Sequence, residues 1–318
     1  MLYNIIQKNN FPGSPVPPQC LRLAERNFYM RIGTHFAYWG RTWTVDYIAL
    51  AKRAKACGLD VLEVGADQLL NMTDAQLEEL RVTAKDLGLE ISANLGPPKD
   101  KDICSADPAI HEAGVKFLCN ILDQMVKIDC KILIGACYNH WPYDFVDIDK
   151  EALLDRAVEG MKIVGDHADK LGLTIALEIL NRFESCMINT LDEGIAFCER
   201  VGKKSVKLLL DTFHMNIEEV DDIPTTLRRA GDWVAHVHVG EANRMLPGTG
   251  HMPWTEIGKA LRDIGYDAKV VMEPFLLTGG ESGPAIKVWR DLSGGADAEK
   301  MDEMMTESVK FLRGCLNG

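Results

Sequence analysis

Four short apolar runs in the second half of the sequence each close on a side chain that binds divalent metal: Leu173 to Glu178, Val206 to Asp211, Trp233 to His238 and Lys269 to Glu273. An apolar run that forms a β-strand carries its last side chain to the rim of a sheet, and four such rims can converge on one ion. Two glutamates, an aspartate and a histidine make a hard, mostly oxygen shell. That shell suits Mn²⁺, Mg²⁺ or Co²⁺ better than structural Zn²⁺, which favours thiolates. Singly, each has a plainer reading, since strand-terminal acids cap helices and a lone histidine on an apolar strand is usually a hydrogen-bonded core residue. Jointly they favour a metal, because a bare carboxylate at the end of an apolar run is costly without a cation or a proton. His236 and His238 lie two apart and share a strand face. His238 is nearer the carboxyl end and is the better ligand, which leaves His236 to fill the interior or support the ligand.

The elements that must carry these residues alternate from Arg31 onward. Predicted strands are Ile32–Tyr38, Val61–Val64, Glu90–Ala93, Lys131–Ala136, Thr174–Glu178, Val206–Asp211, Trp233–Val239 and Val270–Glu273, with amphipathic helical patterns between them. Glycines such as Gly88 and Gly172 stand where helices end. Asp74, Asp107 and Asp297 are expected to cap helix starts, with Pro108 at a first helical position. Eight strand–helix units imply an α/β fold with a parallel sheet, a (β/α)8 TIM barrel over residues 30–318. A dinucleotide-binding sheet is disfavoured: Trp39-Gly-Arg-Thr-Trp43, after the first strand, is no G-x-G-x-x-G turn. Barrel active sites lie at the carboxyl ends of the strands, where all four metal-type residues fall. Residues 1–29 lack periodicity and carry no secretory pattern, so they are expected to form an N-terminal extension.

Composition narrows the partners. A net charge of −12 argues against a nucleic-acid or anionic-membrane surface, and no apolar run of about 18 residues spans a bilayer. None of the nine cysteines has C-x-x-C spacing, and a reduced cytoplasm is expected. Phe36, Tyr38, Trp39, Trp43 and Trp141 fall at or after strand ends, where they suit the apolar edges of a sugar or ordinary loop packing. Glu218, Glu219, Asp221 and Asp222 read as a solvated acidic loop.

Longer strings carry a resemblance. Glu178-Ile-Leu-Asn-Arg-Phe-Glu184, Leu210-Asp-Thr-Phe-His-Met-Asn-Ile-Glu-Glu219, His236-Val-His-Val-Gly-Glu-Ala-Asn-Arg244, Pro247-Gly-Thr-Gly-His-Met-Pro-Trp254, Val270-Val-Met-Glu-Pro-Phe275 and Ile286-Lys-Val-Trp-Arg-Asp-Leu-Ser-Gly-Gly-Ala-Asp297 resemble the ketose 3-epimerase family. The match runs from Met30 to the end and includes Ala37-Tyr-Trp39 and Trp141-Pro142. The resemblance implies one divalent ion, Mn²⁺, Co²⁺ or Mg²⁺, on Glu178, Asp211, His238 and Glu273. It also implies a small ketose substrate held near its carbonyl end by Glu184, His214 and Arg244, and a homodimer or homotetramer. Epimerising C3 of a 2-ketose requires removing a proton beside the carbonyl and returning one on the opposite face, through a cis-enediolate. Glu178 and Glu273, from different strands, are the expected acid/base pair. Arg244 and His214 are expected to stabilise charge on O2, and Glu184 to orient either His214 or a substrate hydroxyl. Trp141 and His35 are further expected substrate contacts. His35 departs from the family pattern and, with Asp67, is expected at the far end of the sugar. The nearest rival is an aldose–ketose isomerase, separated by where the proton returns. A metallo-endonuclease would need more histidines and a basic surface, and a non-catalytic sugar binder would have no use for two glutamates.

Overall fold

Short runs rich in Val, Ile and Leu, each too short for a helix and buried on both faces, form the parallel strands of a closed barrel. The computed structural model describes residues 29–317. Its strands are β1 Arg31–His35, β2 Val61–Gly65, β3 Glu90–Leu95, β4 Ile132–Gly135, β5 Thr174–Glu178, β6 Val206–Asp211, β7 Val234–Val239 and β8 Lys269–Met272. They pair in sequence order, and β8 closes back onto β1. Outside the barrel lie helices α1 Tyr47–Ala56, α2 Asp74–Leu87, α3 Pro108–Lys127, α4 Lys150–Leu171 and α5 Leu191–Val201. They continue with α6 Thr212–Glu218, α7 Ile223–Ala230, α8 Trp254–Asp263, α9 Ser282–Ala285 and α10 Ala298–Asn317. The expected extension, residues 1–29, lies outside the described residues except for Tyr29.

Local chemistry sets the boundaries. Asp107 caps α3 through the Ala109 N–H with Pro108 at the first position, and Asp297 accepts from the Lys300 N–H at 2.9 Å. Asp74 is not a cap: Thr73 takes that place, because Gln76 completes a capping box with it, and Asp74 becomes the first helical residue. The first strand stops at His35 rather than Tyr38. Its Nδ1 accepts the Ala37 N–H at 3.3 Å and turns Phe36–Trp39 into a 3₁₀ turn. The segment after Asp211 is helix α6 rather than loop, with His214 buried in it. Glu218 and Glu219 are not solvated either. Glu218 pairs with Arg182 at 2.8 Å, and Glu219 accepts the Leu191 N–H at 2.6 Å.

Strand alternation decides what points inward. Ile132 and Ile134, Ala176 and Leu209 form a small apolar cluster inside the barrel. Residues two further along the same faces are Glu178 on β5 and Asp211 on β6, so the acids sit directly above that apolar floor. Gly135, ending β4, has a φ of 108°, and a Cβ there would meet the Leu95 carbonyl oxygen. Gly135→Ala should therefore destabilise the barrel by on the order of 3 kcal/mol, read as a shift in denaturant midpoint at constant slope.

Candidate active site

Register brings the four acids and bases together. Asp211 pairs with His238 across β6 and β7, Glu178 ends β5, and Glu273 follows Met272 at the end of β8. All four are buried, and one ligand atom from each lies within 4.8 Å of the others. His238 Nδ1 is 3.5 Å from Glu178 Oε1 and 3.6 Å from Glu273 Oε2. Those gaps are long for hydrogen bonds, yet close to the roughly 3–3.5 Å that separates neighbouring ligands held about 2.1 Å from one ion. Glu178 Oε1 and His238 Nδ1 are also buried without any hydrogen-bond partner. Orphaned atoms that converge in this way fit a hard divalent cation, which would satisfy both.

Asp211 reconciles the two readings of a strand-end acid. Its Oδ1 caps α6 through the Phe213 N–H at 2.8 Å, while Oδ2 faces the cluster. One carboxylate is thus both cap and candidate ligand, one oxygen for each.

The electrostatics divide the two glutamates. Burial pushes the Glu178 carboxyl up to about 7, with Glu273 and Asp211 adding to the rise against the pull of His238. Burial also works to raise Glu273, but His238 and Arg244 outweigh it and hold that carboxyl down to about 2.

Arg244 enters from the loop after β7 with a φ of 63°. Its Nη1 lies 2.7 Å from Asp211 Oδ2 and 2.8 Å from Glu273 Oε2, and its guanidinium rests 4.0 Å over the Phe213 ring. His214 stands between Arg244 and Glu178. Its Nδ1 accepts the Asn181 N–H at 3.1 Å, and its Nε2 lies 3.2 Å from Arg244 Nη2 and 3.6 Å from Glu178 Oε1. Burial pushes this ring's pKa down and Arg244 adds to the fall, which favours the neutral form.

Glu184 does not touch His214 directly. It accepts from Asn181 Nδ2 at 3.0 Å and from Trp141 Nε1 at 3.1 Å, so Asn181 links Glu184 to His214. Above these groups opens a cavity of about 540 Å³, walled by Trp43, Trp141, Phe275 and Ile286, with Asp67 and Asn71 also on its lining. Trp39 is packing rather than lining: it donates to Asp302 and lies under Arg53.

His35 lines the same cavity as Asp67. It is level with Glu63 in the β1–β2 register and one residue past Thr34, the partner of Met272. Strand register, invisible in a local string, puts it beside Glu273.

The xylose isomerase-like TIM barrel family matches residues 51–294. The D-psicose 3-epimerase of Agrobacterium fabrum is 44% identical over 91% of this chain and all of its own length. The enzyme of the same name from Ruminiclostridium cellulolyticum is 41% identical over 89% of this chain and 97% of its own. The chain belongs to the ketose 3-epimerase family. The barrel of a D-psicose 3-epimerase solved in the presence of D-fructose superposes with a TM-score of 0.89, at 44% identity, covering 91% of this chain and all of that one.

Within this ketose 3-epimerase barrel, three polar residues escaped the sequence reading. Asn181 sits inside a quoted string, but nothing in its spacing shows that it bridges Glu184 and His214. Glu63 is fully buried on β2 and meets His238, 175 positions away. Its one sequence signal is a carboxylate in the middle of an apolar strand, which needs buried partners. Glu241 carries the loop that bears Arg244. Its carboxylate accepts from the Gly248 N–H at 2.9 Å, the Met252 N–H at 3.2 Å and Trp254 Nε1 at 2.8 Å, while its carbonyl receives the Arg244 N–H at 2.9 Å. Glu241→Ala should release this loop and lower epimerase kcat/KM by about ten- to hundredfold through misplacement of Arg244, with faster proteolysis near residue 250 as the structural readout.

Proposed function

We propose that this protein interconverts free ketoses epimeric at C3, of the D-fructose/D-psicose, D-tagatose/D-sorbose or L-ribulose/L-xylulose type. The observation that carries the reading is the pair Glu178 and Glu273. They are buried, they arise from non-adjacent strands, and both abut His238 on the floor of a sugar-sized cavity. Glu178, Asp211, His238 and Glu273 would hold one divalent ion, Mn²⁺, Co²⁺ or Mg²⁺. When bound, that ion supplies Lewis-acid stabilisation of charge developing at the sugar carbonyl, worth several kcal/mol.

The remaining work falls to the chain. One glutamate takes the C3 proton and the other returns one on the opposite face, and the roles exchange in the reverse direction through the sugar's cis-enediolate. Arg244 and His214 hydrogen-bond O2, where negative charge accumulates. Glu184, fixed by Asn181 and Trp141, accepts from a sugar hydroxyl, and Trp141 and His35 bound the pocket. Among the described residues Arg244 is the one lysine or arginine lining the cavity and is already shared by two carboxylates, while Asp67 adds a negative charge, so a phosphorylated sugar finds no free counter-charge among them. This supports an unphosphorylated substrate.

The family resemblance supports a homodimer or homotetramer. The eight cysteines among the described residues are all free, which fits a reducing cytoplasmic setting, and no helix there is long and apolar enough to cross a membrane. Residues 1–29 form an extension to a single barrel domain. A panel of fructose, tagatose and ribulose incubated with the protein and Mn²⁺, followed by NMR of the products, tests the reading. C3 epimers are expected; aldoses, or no turnover of any ketose, would reject it.

A further inference from the structure

Beneath the four metal-type residues lies a second polar layer that the proposed reaction leaves unused. Glu63 occupies its centre and is fully buried. Its Oε1 is 3.0 Å from His238 Nε2 and 3.3 Å from Asn94 Nδ2, and its Oε2 accepts from Ser92 Oγ at 2.9 Å. His236 Nε2 stands 3.2 Å from the same Oε2, and its ring packs edge-on against His238 with centroids 5.3 Å apart. Glu63, His236 and His238 also bring their atoms close enough to hold a metal of their own. The contacts argue otherwise. A carboxylate offers about four acceptor positions, and three are taken by His238, Asn94 and Ser92, with His236 against the fourth. Glu63 is already satisfied by the protein.

We propose that Glu63 is a positioning residue for the metal centre: it receives the Nε2–H of His238, and thereby presents the other ring nitrogen, Nδ1, to the ion shared with Glu178, Asp211 and Glu273. Two observations support this independently. Nδ1 is the one nitrogen of His238 left buried without a partner, and it lies on the side of Glu178 and Glu273. Rotating the ring by half a turn would withdraw Nδ1 from the cluster and break the bond to Glu63. A carboxylate behind a ligating imidazole also makes the ligand more basic, and removing such a partner typically weakens metal binding by about 10- to 100-fold. Ser92 and Asn94, adjacent inward-facing positions on β3, fix Glu63 in turn, so the chain of support runs from β3 through β2 to β7.

This inference rests on the metal-binding reading above, and the test separates the two. Full-length protein stripped with a chelator is titrated with Mn²⁺ by calorimetry, as wild type and as Glu63→Gln. The variant keeps side-chain size and one acceptor oxygen but loses the charge. Its Kd for Mn²⁺ should rise about 10- to 100-fold, while the unfolding midpoint of the stripped protein shifts by only a few degrees. The Mn²⁺ concentration giving half-maximal epimerase rate should rise with the Kd, by more than kcat falls. A Kd equal to wild type overturns the proposal, and so does a weakened Kd matched by a collapse of the stripped protein's midpoint, the mark of a purely structural role. Wild type that binds no Mn²⁺ would instead remove the metal reading itself. Should Glu63→Gln fail to fold, Ser92→Ala deletes one donor to the same carboxylate and keeps its charge. About two- to tenfold weaker Mn²⁺ binding is then expected, and unchanged binding overturns the proposal.

Discussion

Glu178→Gln and Glu273→Gln should each stop exchange of the C3 proton with deuterated solvent when the reaction starts from one of the two C3 epimers, the one whose proton that glutamate removes. An amide can neither take that proton nor return it, and general acid–base catalysis contributes about 10²- to 10⁴-fold at a single step. The effect on full turnover should be at least that large, because both steps of an epimerisation must occur. Each glutamate also abuts His238 in the candidate metal cluster, so the measurement needs saturating Mn²⁺ with the bound metal quantified. Exchange at a near-normal rate from both epimers in either metal-loaded variant would remove that residue from the acid/base pair. The two variants need not behave alike. Exchange requires only one base on one face, so with a given epimer one variant could still wash out label while failing to epimerise. That pattern would assign each glutamate to a face of the sugar.

Stripping the protein with a chelator should abolish turnover, and adding Mn²⁺ or Co²⁺ should restore it. Three buried acids, Glu178, Asp211 and Glu273, share the cluster with one arginine. Such a cluster is electrostatically incomplete without further positive charge. The ion should therefore stabilise the fold as well as the reaction, and thermal unfolding should rise with Mn²⁺ concentration as expected for a ligand that binds only the native state. Full activity in protein shown by elemental assay to be free of metal would defeat this account, whatever the effect on stability.

Much of the site is legible without coordinates because its residues occupy locally defined places. Thr174–Glu178 and Val206–Asp211 are apolar, β-branched or leucine-rich runs, and the strands end on the acids where those runs end. α4 likewise ends at Gly172, one of the glycines expected to close a helix. The alternation of eight such units is enough to call a barrel and to put its chemistry at the carboxyl ends. The long strings around Arg244 and His214 add the sugar.

Errors fell where a side chain overrode the local pattern. The first strand is shortened by the His35 ring accepting a backbone N–H, and the segment after β6 becomes a helix because Asp211 caps it. Both are hydrogen bonds worth about 1 kcal/mol, enough to redirect a few residues but invisible to hydrophobic periodicity.

The sequence by itself determined the barrel, the four converging strand ends and the class of chemistry, since each depends on residue type and spacing along one short segment. The tertiary structure alone decided that His35 stands beside Glu273, that Asn181 joins Glu184 to His214, and that Glu63 backs His238. Those relations arise from register between strands and from closure of β8 onto β1, and contacts spanning up to 238 positions leave no trace in the spacing of neighbours.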